Sequence, residues 1–155
     1  MTRSVHFCHT WDKLSDAAQL MWDADCGCVP VIADDGSHQV VGMLTDRDIC
    51  MAMHLRGEKP DEISVGEVMS PQVRAVNSSA TLAEAQTIMS EAQVRRLPVV
   101  DKEAKLVGIL ALADLAREAQ RMRINEHPPI TDDEIGDTLC AISESRTPSE
   151  LAPTA

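Results

Sequence analysis

Apolar positions along the chain follow two spacings. Short apolar runs of strand character occupy Val29 to Ala33, Val40 to Leu44, Leu97 to Asp101 and Leu106 to Leu110. Shorter ones lie at Val5 to Cys8 and Val73 to Val76. Between them apolar residues recur at helical spacing: Leu14, Ala17, Ala18 and Met21, then Leu82, Ala85, Ile88 and Met89. Thr10 and Ser78 stand where those two helices would be capped. Two more helices are predicted, from about Asp46 to Leu55 and from about Leu112 to Arg123. The order is strand, helix, strand, strand, helix, written twice.

The two copies superpose residue on residue. Placing Pro30 over Pro98, an offset of 68, sets Val5 on Val73, Leu14 on Leu82, Met21 on Met89 and Val31 on Val99. Beyond the middle the offset becomes 66, and Val41 falls on Val107, Gly42 on Gly108, Leu44 on Leu110 and Asp48 on Asp114. The change falls at Asp34-Asp35-Gly36-Ser37, which reads as a hairpin turn. Turns absorb insertions and strands do not, so the match is a true internal repeat. A copy of about 60 residues buries too little apolar surface to be stable alone, so the copies are expected to share a core.

The predicted organisation is a first repeat over 1–62, a second over 63–124 and a C-terminal extension over 125–155. Gly57-Glu58-Lys59-Pro60-Asp61 links the halves, and Ser64 to Met69 reads as a single helical turn. His127-Pro128-Pro129 breaks the chain, Thr131-Asp132-Asp133-Glu134 is a capping box, and Ile135, Leu139 and Ile142 give the following helix an apolar face. That face is expected to pack on its own module or on a dimer mate rather than on a foreign protein. Residues 146–155 read as a disordered tail.

Composition narrows the class. The formal net charge is −11, which argues against phosphate-backbone binding and against an anionic membrane surface. No apolar run approaches the roughly 20 residues of a membrane span, and Met1 to Thr10 has no signal pattern, so a cytoplasmic protein is expected. Five cysteines at Cys8, Cys26, Cys28, Cys50 and Cys140 fit reduced thiols, not a disulfide framework. Cys26-Gly27-Cys28 can be read as a metal or redox pair or as small residues lining a ligand-facing loop. The second reading is preferred, because a structural zinc site needs four ligands. The five histidines make no nucleophilic pattern with Cys or Ser, so no catalytic residue is assigned and no enzyme is expected.

One motif carries candidate chemistry. Gly42-Met43-Leu44-Thr45-Asp46-Arg47-Asp48 runs from an apolar strand into a helix. A helix start offers N–H groups and a positive dipole end to a phosphate, and Thr45 could add a hydroxyl donor. The Asp48 carboxylate could accept from both hydroxyls of a ribose. The same residues also make an ordinary helix cap, worth about 1 kcal/mol. Both readings stand on the motif alone.

The Val-Pro-Val-Ile strand, the hairpin and Gly-x-x-Thr-x-x-Asp together, in two copies, resemble the CBS domain, over about Val5 to Arg123. The resemblance implies an α+β fold. Two β-α-β-β-α repeats would pack about a pseudo-twofold axis, followed here by the helical extension. It implies a stand-alone tandem pair (a Bateman module) that binds an adenine nucleotide, AMP, ADP or ATP, in clefts between the repeats. NAD and S-adenosylmethionine rank behind these, and no metal is required. Such a module senses its ligand and signals to a separate effector protein, commonly as a homodimer paired through its helices. The competing reading is a structural or interaction module with vestigial clefts.

Residue by residue, the resemblance puts Thr45 and Asp48 on phosphate and ribose, and Asp114 on the second ribose. Ala111 stands where Thr is expected, so unequal sites follow. Arg95 and Arg96 resemble a basic pair that reaches phosphates; their plainer reading is ion pairing with Glu91 or Asp101. The first copy has Gly27 and Cys28 at those positions. Adenine would pack on the opening strands, Val5 to Thr10 and Val73 to Ser78. It would also touch the backbone of Cys28, Val29 and Pro30, and that of Arg96, Leu97 and Pro98.

Overall fold

A computed structural model describes Met1, residues 5–122 and residues 129–144. The first repeat contains β1 (Cys8–His9), α1 (Leu14–Asp23), β2 (Cys28–Ile32), β3 (Val40–Thr45) and α2 (Asp46–Arg56). A 3-10 turn at Val65–Glu67 follows. The second repeat contains β4 (Val76–Asn77), α3 (Leu82–Ala92), β5 (Arg96–Val100), β6 (Leu106–Ala111) and α4 (Leu112–Met122), and α5 (Asp132–Ser143) lies beyond it. The fold is α+β, with two three-stranded sheets of order β1-β2-β3 and β4-β5-β6. By packing, residues 1–79 with 98–109 form one compact unit, and 80–97 with the chain from Leu110 onward form the other.

The opening strands are shorter than the pattern suggested and lie further along. β1 pairs in parallel with β2 only at Cys8–Val31 and His9–Ile32, and β4 pairs with β5 only at Val76–Val99 and Asn77–Val100. The Val-Pro segment supplies the reason. Proline has no N–H for a ladder, and Pro30 lies just ahead of the residues that β1 reaches. Pro30 is therefore tolerated inside a middle strand whose five residues are all buried.

The expected caps are also displaced. Thr10 and Ser78 do not cap helices. The Thr10 hydroxyl donates to Asp34, and the Ser78 N–H donates to Val100 O over 2.8 Å. The helices start three residues later, at Leu14 and Leu82. Thr81 and Glu84 close a full capping box on α3. Lys13 gives α1 no side-chain cap, and the carbonyls of Ile63 and Pro60 accept from Leu14 and Ser15 N–H instead, over 3.1 and 3.2 Å.

The core of the first unit gathers Cys8, Leu14, Ala17, Met21, Val29, Val31, Leu44, Ile49, Ile63 and Val65. The 3-10 turn straps this core. Val65 and Gly66 donate to the carbonyls of Asp12 and Thr10, each over 2.8 Å, and Arg56 reaches Glu67 over 2.9 Å. In the second unit α5 packs across α3 and α4. Its buried residues are Thr138 and Ile142, with Ile135 half-buried, while the expected core residue Leu139 is exposed. The inward stripe thus runs through Thr138, whose hydroxyl is satisfied by Glu134 O at 2.8 Å. The Arg146–Ala155 tail and the His127-Pro128 break lie outside the described residues.

Three helix starts hold a carboxylate in its charged form. The Ser64 hydroxyl and N–H, with Arg56, bring Glu67 from the ordinary 4.5 to about 2. Glu84 is lowered by the Thr81 N–H and hydroxyl, and Glu134 by those of Thr131. A carboxyl whose folded pKa is depressed adds stability above its unfolded pKa and loses it as pH falls through the folded one. Urea melts should therefore show stability declining from about pH 4.5 towards pH 2. Glu67→Gln should flatten that decline, and an unchanged pH slope in the variant would contradict this account.

Candidate functional site

The motif at the end of β3 folds as a strand-to-helix junction. Cys28 faces Thr45 across the ladder, Val29 faces Leu44 and Pro30 faces Met43, and all three β2 residues are buried. Gly42 is required by a close approach, because a Cβ there would run into the Met69 side chain, whose Cγ would be 3.0 Å away. The Asp46 N–H donates to Gly27 O over 3.2 Å and ties the start of α2 to the loop before β2.

Thr45 and Asp48 close a reciprocal cap. The Thr45 N–H and hydroxyl donate to Asp48 Oδ2 over 2.9 and 2.7 Å, and the Asp48 N–H donates to Thr45 Oγ1 over 3.2 Å. The Arg47 N–H is taken by Asp46 Oδ1 at 2.7 Å. The first three N–H groups of α2 are thus satisfied within the protein, and two carboxylates, Asp46 and Asp48, flank them. This corrects the expectation of a ready phosphate seat at the helix start, because a further anion would find neither free donors nor positive charge there. What stays open is Asp48 Oδ1, which accepts no hydrogen bond from a described residue.

The second repeat builds the same junction with different side chains. The Leu112 N–H donates to Arg95 O over 2.9 Å, as Asp46 does to Gly27, and the Ala111 N–H donates to Asp114 Oδ2 over 2.9 Å, as Thr45 does to Asp48. Ala111 has no hydroxyl, and Asp114 Oδ1 is engaged by Arg117 at 2.5 Å. Burial opposes ionisation of Asp114, but the Ala111 N–H and Arg117 outweigh it and hold the carboxyl below its usual range. Met51 occupies the place of Arg117 in the first repeat. The two carboxylates therefore differ, with one oxygen of Asp48 open and the matching oxygen of Asp114 covered.

Arg95 and Arg96 are both exposed at the start of β5, ahead of buried Leu97 and Pro98. Neither makes the ion pair with Glu91 or Asp101 that their plainer reading required.

Sequence reading missed an aromatic row. Phe7 packs edge-on against His9 and His38, with ring centres 5.7 and 5.9 Å apart, and His9 stacks on exposed Trp11 at 5.2 Å. Asp34, expected as a plain turn residue, meets His9 Nδ1 at 3.2 Å. The available signal was the spacing of two in Phe7-x-His9-x-Trp11, which puts the three rings on one side of an extended segment. The row lies beside Ile32, at the opposite end of β2 from Cys28 and Thr45.

The cysteines form no cluster. Burial, with Asp12, Asp16 and Cys26 nearby, pushes the Cys8 thiol up to about 12, so it is neither thiolate nor ready ligand near neutral pH. Among the described residues, no three His, Cys, Asp or Glu side chains converge as a metal site would need. Nor is any described helix long and apolar enough to cross a membrane.

The repeat, the paired sheets and the two junctions match a known family model, that of the CBS domain, over residues 1–55 and 65–121. The chain belongs to the CBS-domain family. Among its relatives is the uncharacterised protein YlbB of Bacillus subtilis, 34% identical over 147 residues, which cover 93% of this chain and 88% of YlbB. Hypoxic response protein 1 of Mycobacterium tuberculosis is 40% identical over 106 residues, covering 68% of this chain and 72% of the relative. A crystal structure of Hypoxic Response Protein I with two coordinated zinc ions matches with a TM-score of 0.68 and 37% identity, covering 76% of this chain and 92% of that one. The structure of CBSX2 in complex with AMP matches with a TM-score of 0.67 and 29% identity, covering 79% of this chain and 94% of that one. CBS domains are thus found with an adenine nucleotide and with zinc, and the expectation that no metal is required does not carry over from the family.

The junctions can be tested by stability. Thr45→Ala should cost about 1 kcal/mol, and Ala111→Thr should add a similar amount by completing the cap on α4. Urea denaturation measures both, and a neutral Thr45→Ala would mean that the cap contributes nothing.

Proposed function

We propose that this CBS pair is a regulatory module that binds an adenine nucleotide, AMP, ADP or ATP, and hands its ligand state to a separate effector protein. It acts as a homodimer and catalyses no reaction. The observation that carries the reading is the half-buried Asp48 carboxylate, fixed by its cap through one oxygen with the other left open. A carboxylate held in this way can accept from the paired hydroxyls of a ribose without any rearrangement. The AMP complex of CBSX2 supports the ligand class.

The phosphates fall to exposed side chains, since the start of α2 has no spare donor. Thr45 can serve only by turning its one hydroxyl proton away from Asp48. Arg95 and Arg96, without carboxylate partners among the described residues, are the cations for this task. The base packs against backbone at Cys28, Val29 and Pro30 in the first repeat, and at Leu97 and Pro98 in the second. Asp114 takes a second nucleotide more weakly, because Arg117 must be displaced from it first. The same feature favours the second reading, a structural or interaction module, for the second repeat.

Isothermal titration with AMP, ADP, ATP, NAD and S-adenosylmethionine tests the proposal. One dominant site is expected, lost in Asp48→Asn. Arg117→Met, which restores the first repeat's residue, should strengthen the second site several-fold. Two equal sites in the unmodified protein would refute the inequality. Silence with every ligand would leave the interaction module as the function.

A further inference from the structure

The repeat allows two equivalent helix pairs to be compared position by position. In the second repeat α5 lies on α3 and α4, and two glutamines hold it there. Gln86 Nε2 donates to Glu134 O over 2.6 Å, and Gln93 Nε2 donates to Ala141 O over 3.2 Å. By the offset of 68 these positions correspond to Ala18 and Asp25 in the first repeat, and half-buried Ser90 between them corresponds to Trp22. Ala18, Trp22 and Asp25, with Met21, Ile49 and Asp46, line a groove of about 420 Å³ beside α1 and α2. The groove of the first repeat is thus the counterpart of the α5 seat.

Its chemistry is not that of a helix seat. Alanine has no donor and aspartate only accepts, so neither can take the backbone carbonyls that Gln86 and Gln93 bind. Trp22 is 83% exposed where α5 needs the small Ser90, and Met53 is 40% exposed where its counterpart Ala119 is 2% exposed. The fitting occupant is bulky and apolar and carries one N–H donor for Asp25 or Asp46. A tryptophan side chain meets that description, and the face itself presents one. Such a surface is self-complementary in the sense that a twofold interface requires.

We propose that the chain self-associates through its first repeat alone. The α1/α2 face of one copy packs on the same face of a second, and each Trp22 enters the partner's groove with its indole N–H donating to a carboxylate at the groove. The helix pair of the second repeat takes no part, because α5 of its own chain already fills that seat. This deepens the homodimer of the proposed function and departs from the expectation that both repeats contribute their helices. Two buried tryptophans supply about 300–500 Å². The exposed Met51, Met53 and Leu55 of α2 are available towards the 1,200 Å² or more of a stable interface.

Sedimentation of the full chain tests this with Trp22→Ser, which installs the second repeat's residue at an exposed position, and with Leu139→Ser on the outer side of α5. The expected result is a dimer for the unmodified chain, a dimer constant weakened at least tenfold in Trp22→Ser, and no change in Leu139→Ser. In a Trp11→Phe background, Trp22 emission should shift to the red on dilution as the indole meets water. A Trp22→Ser chain that dimerises as well as its parent overturns the proposal, and so does loss of the dimer in Leu139→Ser. A monomeric parent overturns both this proposal and the homodimer reading. A dimer insensitive to Trp22→Ser overturns this one alone.

Discussion

The junction at which the third strand of each repeat turns into a helix ties the local structure together. One backbone hydrogen bond, Asp46 to Gly27 or Leu112 to Arg95, fastens the helix start to the loop before the middle strand. One carboxylate, Asp48 or Asp114, folds back onto the last residue of the strand. Strand, helix and loop are thereby fixed as a unit of a few residues. The middle strand can then be wholly buried, although proline occupies its centre and its outer neighbour is only two residues long. Charged side chains are kept at the junction because each is held by short hydrogen bonds that favour its ionised form.

Duplication of that junction has allowed its two copies to diverge in what they offer. In the first, a threonine completes the cap and one carboxylate oxygen is left over. In the second, alanine leaves the cap incomplete and an arginine one turn on engages the remaining oxygen. The same fold therefore presents one acceptor ready for hydroxyls and one that must first shed a guanidinium. The surface ion pair is modest in strength, as pairs with a largely exposed partner are, so Arg117 tunes the second carboxylate rather than abolishing it.

The helix pairs have diverged by the same logic. A helix pair resting on a three-stranded sheet has an outer face that is too apolar to leave bare, and the chain meets this need in two ways. The second repeat carries glutamine amides and a small serine that receive a capping helix. The first carries a tryptophan and carboxylates that cannot.

The sequence by itself determined the repeat, the strand-helix order and the seats of the motif residues, because these follow from local periodicity and from residues adjacent in the chain. Thr45 with Asp48 and the α5 capping box were legible for that reason. The two-residue insertion in the hairpin was legible as well, since turns tolerate length changes that ladders do not. Tertiary structure decided matters that depend on partners distant in the chain. It decided that Thr10 serves Asp34 rather than a helix, and that carbonyls of Ile63 and Pro60 cap α1. It turned the apolar stripe of α5 towards Thr138 and left Leu139 outside. It brought His38 to Phe7 and satisfied the α2 N–H groups that seemed open to phosphate. Hydrogen-bond satisfaction of buried and terminal backbone groups is a property of the whole fold, and a pattern of apolar spacing carries no record of it.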